Sequence, residues 1–151
     1  LRHLRTEIEI DATPARVWAV LTDFAAYPSW NPFILSVEGR AEVGTRLEMR
    51  VRGPGSEPLT VRPTVLRAEA GRELRWRGRL GPRGTLVGEH SFTLEPLAGE
   101  STGGGQRVRF VHEERFTGPL VALVWGTIGP STRAAFQSMN GALKARAEAV
   151  G

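Results

Sequence analysis

IDATPARVWAVLTDFAAYPSWNPFI, residues Ile10 to Ile34, carries the signals that decide the fold. Thr13 is placed to cap a helix, and Pro14 suits its first position because that N–H would be unpaired anyway. Val17, Trp18 and Leu21 share a helical face, so the spacing predicts a short helix ending near Asp23. The twelve residues Asp23 to Ile34 then hold four aromatic rings and two prolines. They are too apolar for a surface turn and too interrupted for a core helix. A second short turn of helix is expected, broken before Pro28 and Pro32. Trp18 and Phe24 are expected to plug the core. Trp30 and Phe33 cannot continue a regular face past the prolines, and either plug the core or face a cavity.

Upstream, Leu4, Thr6, Ile8 and Ile10 alternate with Arg5, Glu7 and Glu9, the pattern of a half-buried strand. Downstream, alternating runs continue to about Phe116. Ile34 to Arg40 is the first. TRLEMRVR sets Leu47, Met49 and Val51 against arginines and Glu48. LTVRPTVLRAE contains Pro63, which argues for an edge or a bulge. ELRWRGRL sets Leu74, Trp76 and Leu80 on one face, and TLVGEHSFTLEPL and RVRFVHEERF complete the set. GPGSEP, EAGRE, GPRG and GESTGGGQ mark the turns between them, so the strands form an antiparallel meander. The tail changes period: Phe136, Met139, Leu143, Ala147 and Val150 recur at helical steps. One helix is expected from about residue 119 to 149, kinked near Pro130, with Ser131 available as a new cap. The order is a strand, two short helices, about six strands and a long helix. That is an α+β arrangement in which only the long helix is large enough to cover the apolar face of the sheet.

The chain has 151 residues, one domain by length, and long enough to bury roughly 70% of its unfolded surface. It has no cysteine, which excludes disulfides and thiol chemistry. No apolar run approaches the ~20 residues of a membrane span, and no leader-like run follows Leu1. A soluble cytoplasmic protein without integral membrane association is expected, as monomer or homodimer. The apolar run Leu120 to Ile128 either faces the cavity or makes a dimer contact. The net charge is +4, with Lys144 the only lysine among the 20 basic residues. Arg46, Arg50, Arg52, Arg75, Arg77, Arg79, Arg107, Arg109 and Arg115 all fall on the polar parity of their strands, interspersed with Glu48, Glu73, Glu89 and Glu113. That is a solvated outer face of mixed sign, and no nucleic-acid partner is expected.

Three ionisable residues fall on the apolar parity instead. His90 shares its face with Leu86, Phe92 and Leu94; His112 and Glu114 share theirs with Val108, Phe110 and Phe116. A hairpin pairing Phe92 with Phe110 would set His90 opposite His112 and Gly88 opposite Glu114, with opposed Cβ atoms about 5 Å apart. Such groups line a wet cavity and contact a ligand, perform acid–base chemistry, or form a satisfied buried network. Two histidines and a glutamate also match a metal's donor inventory, but that count is common, and neither metal nor cofactor is assigned.

The stretch Ile10 to Ile34 resembles the opening signature of the START-like, helix-grip superfamily, whose bacterial members include the polyketide cyclase/dehydrase and SRPBCC proteins. Ile10, Ala12, Pro14, Val17, Trp18, Leu21, Asp23, Tyr27, Trp30, Pro32 and Ile34 carry the resemblance, and FQSMNGALKARAE is similar to the family's final helix. The resemblance implies one START-like domain over residues 1–151. It implies a curved antiparallel sheet of about seven strands wrapped around the C-terminal helix, two short helices between strands one and two, and a cavity between sheet and helix. It implies a small hydrophobic or aromatic ligand, such as a lipid, sterol or polyketide, that is carried, sensed or stored. The candidate lining is Trp30, Phe33, Leu47, Met49, Trp76, Leu86, Phe92, Phe110 and Met139, with His90, His112 and Glu114 as its polar groups. No fixed triad runs through the family, so no catalytic residue is carried over. The alternatives are a cyclase or dehydratase acting on a polyketide-like substrate, with His112 or His90 as acid–base and Glu114 orienting it, and a protein-interaction domain whose cavity is closed.

Overall fold

A computed structural model describes residues 2–52, 57–79, 84–97 and 106–149. Strand β1 (Arg2–Ile10) leads to helix α1 (Pro14–Thr22), a 3-10 turn (Phe24–Ala26) and helix α2 (Tyr27–Trp30). Strands β2 (Ile34–Glu38), β3 (Glu48–Val51), β4 (Leu59–Val61), β5 (Thr64–Glu69), β6 (Glu73–Arg79), β7 (Val87–Leu97) and β8 (Arg107–Thr117) follow, and helix α3 (Val121–Glu148) is the last described element. The architecture is the expected α+β helix-grip, with eight strands where about seven were expected. Leu80, Val150 and the predicted turns within 53–56, 80–83 and 98–105 lie outside the described residues.

The extra strand comes from Pro63. The run read as one strand divides into β4 and β5 around Arg62 and Pro63, giving a five-stranded sheet β1-β8-β7-β6-β5 and a three-stranded sheet β2-β3-β4. Proline has no N–H for a ladder, so pairing stops there. Its carbonyl is still used. Leu47 donates to Pro63 at 2.8 Å, and Val65 donates to Thr45 at 2.9 Å. These bonds and an isolated bridge between Arg46 and Thr64 join the two sheets at the corner. Gly78 lies under this corner, where a Cβ would stand 3.2 Å from the Pro63 ring.

Local chemistry accounts for the early segment. The Thr13 hydroxyl accepts from the Arg16 N–H at 3.1 Å, and Pro14 begins α1, as the sequence predicts. Pro28 does not break the next helix; it sits in its first turn, where a missing N–H is harmless. Chain reversal falls to Asn31, whose side-chain oxygen accepts from the backbone N–H groups of Phe33 and Ile34, both at 2.9 Å. Tyr27 is fully buried between Phe24 and Trp30 in edge-on contacts at 5.4 and 5.2 Å, and its hydroxyl donates to the Leu21 carbonyl.

Helix α3 runs through Pro130 without interruption. Ser131 does not cap a new helix; its hydroxyl donates back to the Ile128 carbonyl at 3.1 Å. Phe136, Met139, Leu143 and Ala147 are buried, as the spacing predicts, and Asn140, Ala135, Gly129 and Val121 are buried with them. The far end is tied down by polar contacts. Arg16 of α1 donates to the carbonyls of Ala147 and Arg146, and Lys144 donates to the Glu9 carbonyl at 2.9 Å. On the outer face Arg75 pairs with Glu73 and Glu89, and Arg107 with Glu9. Such exposed pairs contribute little, about 0–1 kcal/mol each.

Gly118 sets the turn from β8 into α3. Its φ is +115°, and a Cβ there would lie 2.3 Å from the Thr85 carbonyl oxygen. Gly118→Ala combines a strained conformation with a backbone clash. It should destabilise the protein by about 2–3 kcal/mol in urea unfolding; a loss below about 0.5 kcal/mol would show that this turn does not hold the helix in place.

Candidate functional site

The site begins with parity. On β7 and β8, alternate residues face α3, so His90, His112 and Glu114 point inward with Phe92, Phe110 and Phe116. The pairing differs from the expected register by two residues. His90 lies opposite Glu114, His112 opposite Phe92, and Gly88 opposite Phe116. Because side chains alternate with period two, a slip of two changes neighbours and leaves every face unchanged. The three residues therefore still meet, in a different order.

With Thr6 and Asn140 they form a polar chain, hydrogen-bonded as far as His90 and in contact with Glu114 at its end. Thr6 on β1 lies opposite His112, and its hydroxyl donates to the His112 carbonyl at 3.3 Å. Asn140 on α3 donates through Nδ2 to the Thr6 hydroxyl at 2.9 Å, and its Oδ1 lies 2.8 Å from His112 Nδ1. An amide oxygen only accepts, so His112 carries its proton on Nδ1 and offers Nε2 as an acceptor. His90 Nε2, 2.7 Å away, must then be the donor. That leaves His90 Nδ1 facing Glu114 Oε1 at 3.4 Å. A carboxylate facing a bare imidazole lone pair would be repelled, so the contact favours a proton on one of the two groups. The ring nitrogens of the histidines are directed at each other rather than at a common point, the geometry of a relay and not of a metal cage.

Packing enforces neutrality at His112. It is fully buried, and the Phe136 ring stacks on it with centroids 3.9 Å apart and planes 6° apart. Burial holds its pKa well below the ordinary imidazole value; the adjacent His90 lowers it further, and the hydrogen bond to Asn140 acts weakly the other way.

His90 and Glu114 end this chain on the wall of a cavity of about 300 Å³. The wall is largely apolar: Phe33 just before β2 and Ile34 at its start, Met49 and Val51 of β3, Leu59 and Val61 of β4, Trp76 of β6, Leu86 before β7, and Phe116 of β8. Pro63, Gly78 and Gly88 complete the sheet side, and Ile128, Ser131 and Thr132 come from α3. Leu59 at its rim is exposed. Trp76 stacks on His90 at 5.4 Å, and Phe33 stacks on the same ring at 6.2 Å.

The expected lining thus divides. Phe33, Met49, Trp76, Leu86, His90 and Glu114 stand on the wall. Leu47, Phe92, Phe110 and Met139 do not line it; all four are fully buried in the core. His112 lies behind His90. Trp30 packs on Tyr27 because Asn31 turns the chain between it and Phe33. Asn140 went unread in the sequence, although its position four residues after Phe136 puts a polar side chain on the apolar helical face. Thr6 gave the same signal on β1. Ile128, Ser131 and Thr132 carried none, because which stretch of a helix borders a cavity depends on where the helix crosses the sheet.

The sequence profile of the family described as "Polyketide cyclase / dehydrase and lipid transport" matches residues 2–148. No curated protein matches by sequence. Among solved structures, the chain is similar to the hypothetical protein jhp0584 of Helicobacter pylori (TM-score 0.76, 17% identity, 97% of this chain and 88% of that one). It is similar to protein TTHA0849 of Thermus thermophilus (TM-score 0.71, 19% identity, 97% of each chain). It is also similar to the Zhui aromatase/cyclase from a Streptomyces species (TM-score 0.70, 16% identity, 97% and 93%). At these identities the likeness speaks to the fold. Among the described residues, no helix is long and apolar enough to cross a membrane.

Neutral, buried His112 makes stability depend on pH. In the unfolded chain it takes up a proton as the pH falls through about 6.5, and in the folded protein it does not. The unfolded state then binds more protons, so the stabilisation is complete above that pH and is lost below it. Between about pH 7.5 and 5.5 His112 should account for a loss of roughly 1 kcal/mol. His112→Gln should show a loss smaller by that amount in urea titrations at the two pH values. Equal losses in both proteins would mean that His112 protonates in the folded state.

Proposed function

The chain belongs to the polyketide cyclase/dehydrase and lipid transport family, and from that premise we propose that it binds a small, largely apolar molecule between its sheet and α3, as a carrier, sensor or store. The observation that carries this reading is the cavity itself: about 300 Å³, walled mainly by aliphatic and aromatic side chains, with His90 and Glu114 as a localised polar pair. That composition suits ligand sites, where apolar area supplies affinity and a few polar groups fix orientation, and the volume is at the lower end of their range. The unfilled space gives less support to an interaction domain with a packed interior.

The chain from Asn140 through His112 and His90 to Glu114 favours a second reading, acid–base catalysis of the cyclase or dehydratase kind on a polyketide-like substrate. A proton held by His90 or Glu114 at the wall of an apolar cavity is placed to reach a bound carbonyl or hydroxyl. Turnover that collapses in His90→Gln while apolar binding persists would support it over simple carriage.

Mass spectrometry of the purified protein, under native and then denaturing conditions, should release a small molecule only on denaturation. The neutral probe N-phenyl-1-naphthylamine should bind the emptied protein with a rise in fluorescence. Leu86→Trp, which fills the cavity from just before β7, should weaken that binding by about tenfold, ~1.4 kcal/mol. Probe binding unaltered by Leu86→Trp would place the ligand elsewhere.

A further inference from the structure

The polar groups of the cavity specify the chemistry of its ligand. Nε2 of His90 is bonded to His112, and Nδ1 faces Glu114 at 3.4 Å rather than the open cavity, so the ring presents no free N–H to a ligand. Glu114 is about nine-tenths buried, yet neither of its oxygens is among the buried polar atoms left without a partner. Among the described residues no hydrogen bond reaches its Oε2, so that oxygen is open to the cavity. Whether His90 or Glu114 holds the proton, Oε2 is an acceptor: with the proton on His90 it belongs to a carboxylate, and with the proton on Glu114 Oε1 it is the carbonyl oxygen of the acid. Ser131 donates its hydroxyl proton to the Ile128 carbonyl, which leaves that oxygen as an acceptor too. Thr132 adds one hydroxyl.

Among the described residues no arginine or lysine lines the cavity. Arg50, Arg52, Arg77, Arg79 and Arg115 are exposed, on the side chain parity opposite to the inward residues. An anionic head group entering the cavity would lose its hydration beside the Glu114 carboxyl group, with no arginine or lysine among the described lining residues to replace it. A hydroxyl would instead exchange its hydrogen bond to water for one to Glu114. The walls favour a flat body, since Phe33 and Trp76 both stack on the His90 ring and stand on the cavity wall with it.

We infer that the cavity selects a flat, uncharged molecule bearing a hydroxyl donor, which Glu114 accepts, and rejects carboxylate-bearing molecules such as fatty acids. This deepens the binding reading above and rests on it. The discriminating test is a shape-matched trio titrated into the wild-type protein near neutral pH and followed by tryptophan fluorescence: 2-naphthol, the ionised 2-naphthoate and the apolar 2-methylnaphthalene. The expected order is 2-naphthol at least about tenfold tighter than 2-naphthoate, and tighter than 2-methylnaphthalene. In Glu114→Met the preference between naphthol and methylnaphthalene should invert, because the hydroxyl then has no acceptor. If methylnaphthalene binds wild type while naphthoate equals or exceeds naphthol, or if methylnaphthalene exceeds naphthol, the inferred selectivity is wrong and the binding reading stands. If none of the three binds, the binding reading fails and the selectivity falls with it. The wild-type series decides the matter even if the variant does not fold.

Discussion

Asn140 is the one polar side chain that α3 buries, and its two hydrogen bonds hold the helix to the sheet at a defined height and rotation. Apolar packing alone is non-directional and would tolerate sliding of a helix whose buried residues include Phe136, Met139, Leu143 and Ala147. An amide that must meet Thr6 on β1 and His112 on β8 tolerates very little, because a displaced helix would leave three polar groups buried and unpaired. The position of α3 sets where Ile128, Ser131 and Thr132 stand, and so closes one wall of the cavity.

The same contact reaches into the site. By accepting from His112 Nδ1, Asn140 decides which nitrogen of His112 faces His90. That decision makes His90 a donor at Nε2, turns its Nδ1 toward Glu114 and leaves Glu114 Oε2 as an acceptor at the wall. The polar character of the cavity is thus dictated from the far side of the core, through groups no ligand would touch. Phe136, stacked on His112, excludes water from the middle of this chain and keeps it neutral.

Polar residues on apolar parity were the readable trace of this arrangement. His90, His112 and Glu114 stood out because a strand alternates strictly, so one polar residue on the wrong face is visible in a single line of sequence. Asn140 was harder to see. Helical faces are broad stripes, and a polar residue near the edge of a stripe reads as exposed until the helix is docked. The expected hairpin register was off by two, yet the cluster survived, since only an odd slip would have sent these residues to the outer face. Trp30 and Phe33 looked equivalent, three residues apart around a proline. They part company because the Asn31 side chain binds the next two backbone N–H groups and turns the chain between them.

By itself, the sequence determined the order of elements, the capped start of α1, the inward faces of β1, β7 and β8, and the outward arginines. Each follows from local periodicity or from the chemistry of one residue, and neither needs distant partners. The tertiary structure alone decided that Pro63 splits one strand into two, that His90 pairs with Glu114, and that His112 lies behind the cavity wall rather than on it. It also decided which half of the apolar residues line open space. Those outcomes depend on where separate elements cross, and a crossing is set by the joint packing of residues far apart in the chain, which no short window of sequence contains.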